Sequence, residues 1–196
     1  NDRQKSEFIN LVNEEKQFKE RKGDNGIEIK PEWQQPVFYG VVTKGEKFFV
    51  YRRGDADSRY SEGRLASKIS IGLGGHIEPY DTTLESSLNR ELSEEVVFRR
   101  KGEEILVDDA GEMEIIGLVK NETDDVGKVH VGLVCRFDLR DEDIDILIRD
   151  AGKENQAGWM LNMDEYNGRV STGEFVPEEW TKLVLENMSD LIIRGR

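Results

Sequence analysis

The run Lys68–Phe98, KISIGLGGHIEPYDTTLESSLNRELSEEVVF, constrains this chain most. It begins with an alternating apolar stretch that predicts a strand. The strand gives way to four glycine-rich positions, and an acidic segment predicted to be helical over 84–100 follows. Placed on a helix at about 100° per residue, Glu91, Glu94 and Glu95 share an arc of about 100°. Leu88, Leu92 and Val96 form an apolar stripe beside that arc, and Glu95 sits on the seam. Like charges three or four residues apart repel. Carboxylates at the edge of a buried face are costly unless they are paired or bind a cation. Either that face is solvated, or something positive sits on it. Arg90 is one candidate, and a hard divalent ion with a preference for oxygen ligands is another. The loop GLGG lets backbone approach a ligand closely.

The rest of the chain surrounds this core. Residues 4–22 predict a helix from Phe8, Leu11, Val12 and Phe18, and a loop rich in glycine and proline follows. Strands are predicted at 37–42 and 47–53, with a turn at Thr43–Glu46. Further strands are predicted at 68–75, 113–120, 129–139 and 157–162, and a short apolar run at 144–148. A closing helix is predicted from Pro177 onward, with Leu183, Val184, Met188, Leu191 and Ile192 on one face. The order predicts helices on a mixed sheet. The domain reading is an N-terminal helix and linker over 1–35 and one α/β domain over 36–196.

A net charge of −13 argues against binding a nucleic-acid polymer or an anionic membrane surface. It does not argue against a small phosphorylated ligand, because a bound divalent ion inverts the local field. The single cysteine, Cys135, lies in an apolar strand pattern and reads as buried. No apolar run reaches the ~18 residues of a membrane span. The first ten residues, NDRQKSEFIN, show no apolar signal region. Together these predict a cytoplasmic protein.

GGHIEPYDTTLESSLNRELSEEVVF resembles the Nudix box: glycine, five residues, glutamate, seven residues, then Arg-Glu-aliphatic-x-Glu-Glu-x-Gly. Gly75 matches the first glycine, and Arg90–Glu95 match the central six positions without a gap. Two positions depart. Five residues on from Gly75 stands Asp81 instead of glutamate, one residue farther from Arg90 than the box has it; alternatively Thr82 holds that position and the carboxylate is lost. Val97 stands where the second glycine belongs, and valine there predicts a helix that continues toward Arg99.

The resemblance covers roughly residues 36–190 and leaves the N-terminal helix outside it. It implies a Nudix-type α/β/α sandwich with an N-terminal helical extension. It also implies a hydrolase that cleaves a diphosphate linkage in a nucleoside diphosphate derivative with Mg²⁺ or Mn²⁺, and it is compatible with a homodimer. By position, Glu91, Glu94, Glu95 and the Gly75 carbonyl would hold the metal. Glu94 or Glu95 would take the proton of the attacking water, and Arg90 would orient a glutamate. Arg52 and Arg53 end a strand on opposite faces, so one of them is a candidate for a phosphate. Glu154 is a candidate additional base or ligand. Trp33, Phe38 and Tyr39 are rings for either a base or the core. His76 reads as a loop residue and His130 as an interior one. A Nudix-fold binding module without turnover is the alternative motivated by Asp81 and Val97. An isomerase on the same fold would need a cysteine in the site.

Overall fold

The computed structural model describes residues 2–20, 26–30, 32–54, 67–123, 125–149 and 158–193. Its frame is a six-stranded mixed sheet. Strand β1 (Gln35–Lys44) turns back into β2 (Lys47–Arg52) through a left-handed Gly45. These two strands pair only beside the turn, at Thr43/Phe48 and Lys44/Lys47. Beyond that point they splay, and the chain from Ile69 onward runs between them. β3 (Ile69–Ser70) pairs with β2, and Leu73 and His76 then bridge Gly40 and Val37 of β1. The glycine loop is therefore built into the sheet.

The acidic segment forms helix α2 (Leu84–Glu95) after the short α1 (Asp2–Glu15) and a 3₁₀ turn (Ile27–Ile29). Thr83 caps α2. Its hydroxyl accepts from the Ser86 N–H at 3.0 Å, and the Ser86 hydroxyl answers the Thr83 N–H at 3.0 Å. Leu84, Leu88 and Leu92 are buried, so the apolar stripe faces the sheet as the spacing predicts.

The helix stops at Glu95, not near Arg99. Val96, Val97 and Phe98 favour an extended backbone. They open β4 (Val96–Arg100), which pairs with β8 (Ile144–Ile148) and β5 (Glu103–Ile105) in a second, three-stranded sheet. Val97 is thus a strand residue opposite Leu147. The first helix is likewise shorter than predicted. Residues 13–17 offer no apolar side chain to hold another turn against the core.

The chain then passes through α3 (Val107–Ala110), β6 (Gly111–Val119), α4 (Asp125–Val129) and β7 (His130–Leu139). It closes with β9 (Gly158–Leu161), α5 (Met163–Ser171) and α6 (Glu179–Ile193). β7 runs parallel to β1 and antiparallel to β6, and β9 lies against β2. Alternation along β1 and β2 divides the interior in two. Phe38, Val42, Phe49 and Tyr51 join Leu88, Leu92, Phe98 and Val12 of α1 on one face. Tyr39, Val41, Phe48 and Val50 join Tyr166, Val184, Leu185 and Ile192 on the other. In α6 the buried face is Thr181, Val184, Leu185 and Ile192; Leu191 points to solvent. Helix α5, which the sequence pattern did not distinguish, starts on an Asn162 cap. No described helix is long and apolar enough to cross a membrane.

Candidate metal and diphosphate site

The end of α2 faces the glycine loop. Gly74 has φ +127°, where a side chain is strained, and an added Cβ would come within 2.9 Å of Phe38. This conformation lets the Gly74 N–H donate to Glu95 Oε2 at 2.7 Å. Gly75 lies against Glu91, since a Cβ there would come within 2.7 Å of Oε2. The Gly75 carbonyl accepts from the Phe38 N–H at 2.8 Å, which uses one of its two lone pairs.

Arg90 anchors the cluster. Its Nε and Nη2 donate to the two oxygens of Asp81 at 3.1 and 2.9 Å, a fork-on-carboxylate geometry. Nη1 donates to Glu91 Oε1 at 2.8 Å and lies 3.4 Å from Glu94, and Nη2 also donates to the His76 carbonyl at 2.9 Å. Asp81 accepts the Glu78 N–H at 2.8 Å as well, which closes the turn before α2. Its carboxyl is held well below the usual range, chiefly by the Arg90 hydrogen bonds. Asp81, rather than Thr82, therefore supplies the carboxylate that meets Arg90.

Glu91 and Glu95 behave differently. Burial raises both above the ordinary carboxylate value. Glu95 reaches about 7, although the Gly74 N–H and the Arg53 charge pull it down. Both are half-buried acids whose burial outweighs the nearby cations, Arg90 for Glu91 and Arg53 for Glu95. Glu94 is the exposed member, its side chain 57% accessible. Among the described residues no three His, Cys, Asp or Glu side chains are gathered into a cage. Arg90 draws on Glu91 and Glu94, while the Gly74 N–H holds Glu95. The donor set still fits a hard divalent cation: the candidate ligand atoms are all oxygens, and one guanidinium, Arg90, is shared among Asp81, Glu91 and Glu94.

The two arginines at the end of β2 separate as alternation requires. Arg53 pairs with the buried Glu178 at 2.8 Å and acts electrostatically on Glu95. Arg52 donates to the carbonyls of Ser67 and Glu174, at 3.0 and 3.2 Å, on the side of α5. Glu178 also accepts from Ser70 Oγ at 2.6 Å and Tyr39 Oη at 3.1 Å, which locks the start of α6 to the sheet. Nothing in the local sequence around Pro177 singles Glu178 out. Glu154 lies outside the described residues. His76 and His130 meet through their Nε2 atoms at 3.2 Å. Cys135 is buried, and burial raises its thiol far above the ordinary value, so it offers no reactive sulfur to the site.

A splayed β1–β2 pair holding a glycine loop, followed by a helix that ends in carboxylates, is an architecture this chain shares with solved structures. The crystal structure of Tm1382, described as a candidate Nudix hydrolase, shares this fold with a TM-score of 0.66 at 21% identity, covering 95% of this chain and 85% of that one. A bifunctional NMN adenylyltransferase/ADP-ribose pyrophosphatase from Francisella tularensis, complexed with AMP and a manganese ion, superposes with a TM-score of 0.50 at 14% identity. That match covers 78% of this chain and 41% of that one. In sequence, the chain is 28% identical over 177 residues to Protein YmaB of Bacillus subtilis (strain 168), spanning 85% of this chain and 75% of that protein. No family model matches.

Proposed function

We propose that this protein is a metal-dependent hydrolase that cleaves a diphosphate linkage in a nucleoside diphosphate derivative. The carrying observation is the pair of half-buried carboxylates, Glu91 and Glu95, that face glycine-loop backbone and that burial raises above the ordinary carboxylate value. Glu91, Glu94, Glu95 and the free lone pair of the Gly75 carbonyl would hold Mg²⁺ or Mn²⁺. Once bound, the ion neutralises charge on the diphosphate and lowers the pKa of a water. The manganese ion and AMP in the Francisella enzyme support this reading.

The chain's own residues carry the remaining roles. Asp81 fixes Arg90, and Arg90 fixes Glu91 Oε1, so one ligand is oriented before any ion arrives. The Gly74 N–H fixes Glu95 Oε2 and leaves Oε1 for the site. Glu94 or Glu95 takes the proton of the attacking water. Arg53, steadied by Glu178, meets a phosphate oxygen. The acidic surface makes the polyanion dependent on the ion for entry.

The test is to incubate wild type, Glu94→Gln and Glu95→Gln with Mg²⁺ or Mn²⁺ and a pool of nucleoside triphosphates, dinucleoside polyphosphates, nucleotide sugars and NADH. Products are read by mass spectrometry. Consumption of one class by wild type, lost in the variants, establishes the reading. If all three proteins leave the pool intact, the fold serves binding without turnover.

A further inference from the structure

The chain has 2 histidines, and the fold brings them together from 54 positions apart. His130 opens β7 beside Gln35 of β1, and His76, on the glycine loop, bridges Val37 from the other edge of the same strand. Positions 35 and 37 lie on one face of β1, so the two rings close over that face from either side. Backbone pairing therefore sets the pair, and His130 is buried. The Nε2 atoms stand 3.2 Å apart, with ring centroids at 5.2 Å and ring planes 72° apart. The centroids are closer than they would be for rings aligned end to end across that gap, so the rings are canted toward each other's edge. In the neutral pair one Nε2 donates its proton to the lone pair of the other.

We propose that His76 and His130 chelate a borderline divalent ion, Zn²⁺, at a site separate from the carboxylates of α2. Two imidazole nitrogens, each about 2.0–2.1 Å from one tetrahedral ion, stand about 3.3 Å apart. The 3.2 Å between these Nε2 atoms is already close to that separation. The ion takes the place of the proton between the rings. That proton moves to Nδ1 of its own ring, so both imidazoles stay neutral and both Nε2 lone pairs face the ion. Imidazole suits Zn²⁺, whereas Mg²⁺ and Mn²⁺ favour carboxylate oxygens, so the two sites select different ions. Among the described residues no third His, Cys, Asp or Glu is gathered with the pair, so water completes the shell. His76 also lines a cavity of about 150 Å³ between the glycine loop and the segment after α1, which leaves room for that water. An ion held there ties the loop that carries Gly74 and Gly75 to β7, across β1. The site stands without the hydrolase reading, in which neither imidazole has a role.

The experiment is a Zn²⁺ titration of the untagged, chelator-stripped full chain, labelled with ¹⁵N in histidine and followed by NMR. With 2 histidines in the chain, one substitution assigns both rings. The Nε2 signals of His76 and His130 move together, saturate, and stay moved in a large excess of Mg²⁺. Glu91→Gln, which disables the carboxylate site, leaves both ring shifts in place. In that Glu91→Gln background, calorimetry shows Zn²⁺ affinity falling at least tenfold on His130→Gln. His76→Gln, at a partly exposed position where folding is at little risk, gives the same loss. The proposal is overturned if Zn²⁺ moves neither ring, or moves one without the other. It is equally overturned if excess Mg²⁺ or Glu91→Gln abolishes the shifts, because the ion then sits on the carboxylates. Unchanged Zn²⁺ affinity in both histidine variants also overturns it.

Discussion

Replacing Asp81 by asparagine tests the anchoring of the site directly. The substitution keeps the shape but removes the charge that faces Arg90. Asp81 is 4% exposed in its side chain and Arg90 18%, so the pair is largely shielded from water. Removing one member of a buried pair costs ~3–5 kcal/mol. Arg90 keeps Glu91 at 2.8 Å, which offsets part of that loss. The expected loss is therefore about 2–3 kcal/mol at pH 7. For a chain of this length it lowers the melting temperature by roughly 4–12 °C.

The pH dependence supplies the sharper check. The Asp81 carboxyl is held below its unfolded value, so its stabilisation is complete above about pH 4. It drains as pH falls below that value toward the depressed folded one, where the group protonates. Urea unfolding of wild type and Asp81→Asn, followed by circular dichroism, gives the stability gap at each pH. The gap should hold down to about pH 4 and narrow progressively as pH falls from there toward 2. A gap below about 0.5 kcal/mol at neutral pH, the yield of an exposed pair, refutes the anchoring role. So does a gap that stays constant into acid.

Three further outcomes follow from the same geometry. Glu95 in the metal-free protein titrates near 7, so Mn²⁺ must displace a proton, and calorimetry should show affinity rising roughly tenfold between pH 6 and 8. Glu95→Gln flattens that rise. Gly75→Ala places a methyl 2.7 Å from Glu91 Oε2; the flexible carboxylate moves, so unfolding should change by under about 1 kcal/mol while Mn²⁺ affinity falls about tenfold or more. Val97→Gly restores the residue that the Nudix box carries, yet it should destabilise by about 1 kcal/mol in urea, because position 97 pairs in a strand with Leu147.

The parts of this molecule legible in its sequence are those fixed over short range. The Arg90–Glu95 run shows its carboxylate face because one helix sets its geometry, and the alternation in β1 and β2 shows which residues face which core. The box spacing predicts Val97 as helical, whereas the strand-forming run Val96-Val97-Phe98 opens β4. Its register is decided by β8, some fifty residues later. Asp81 looked like a defect in spacing until the turn placed it on Arg90. Arg53 and Glu178, 125 positions apart, meet only through the sheet and α6.

Helix α2 passes into β4 with no linker, and the Glu95 carbonyl accepts the N–H of Arg149, just beyond β8, at 2.7 Å. The last residue of the acidic helix is therefore also a rung of the second sheet. Any ligand held by the Glu95 carboxylate and absent from the opened form must slow the opening of that sheet. At a ligand concentration about 100 times its dissociation constant the added protection is about 2.7 kcal/mol. Hydrogen exchange at Phe98 and Ile146, far from the glycine loop, then becomes a remote gauge of site occupancy. By the same reciprocity, substitutions that loosen the β4–β8 pairing weaken the site without touching it.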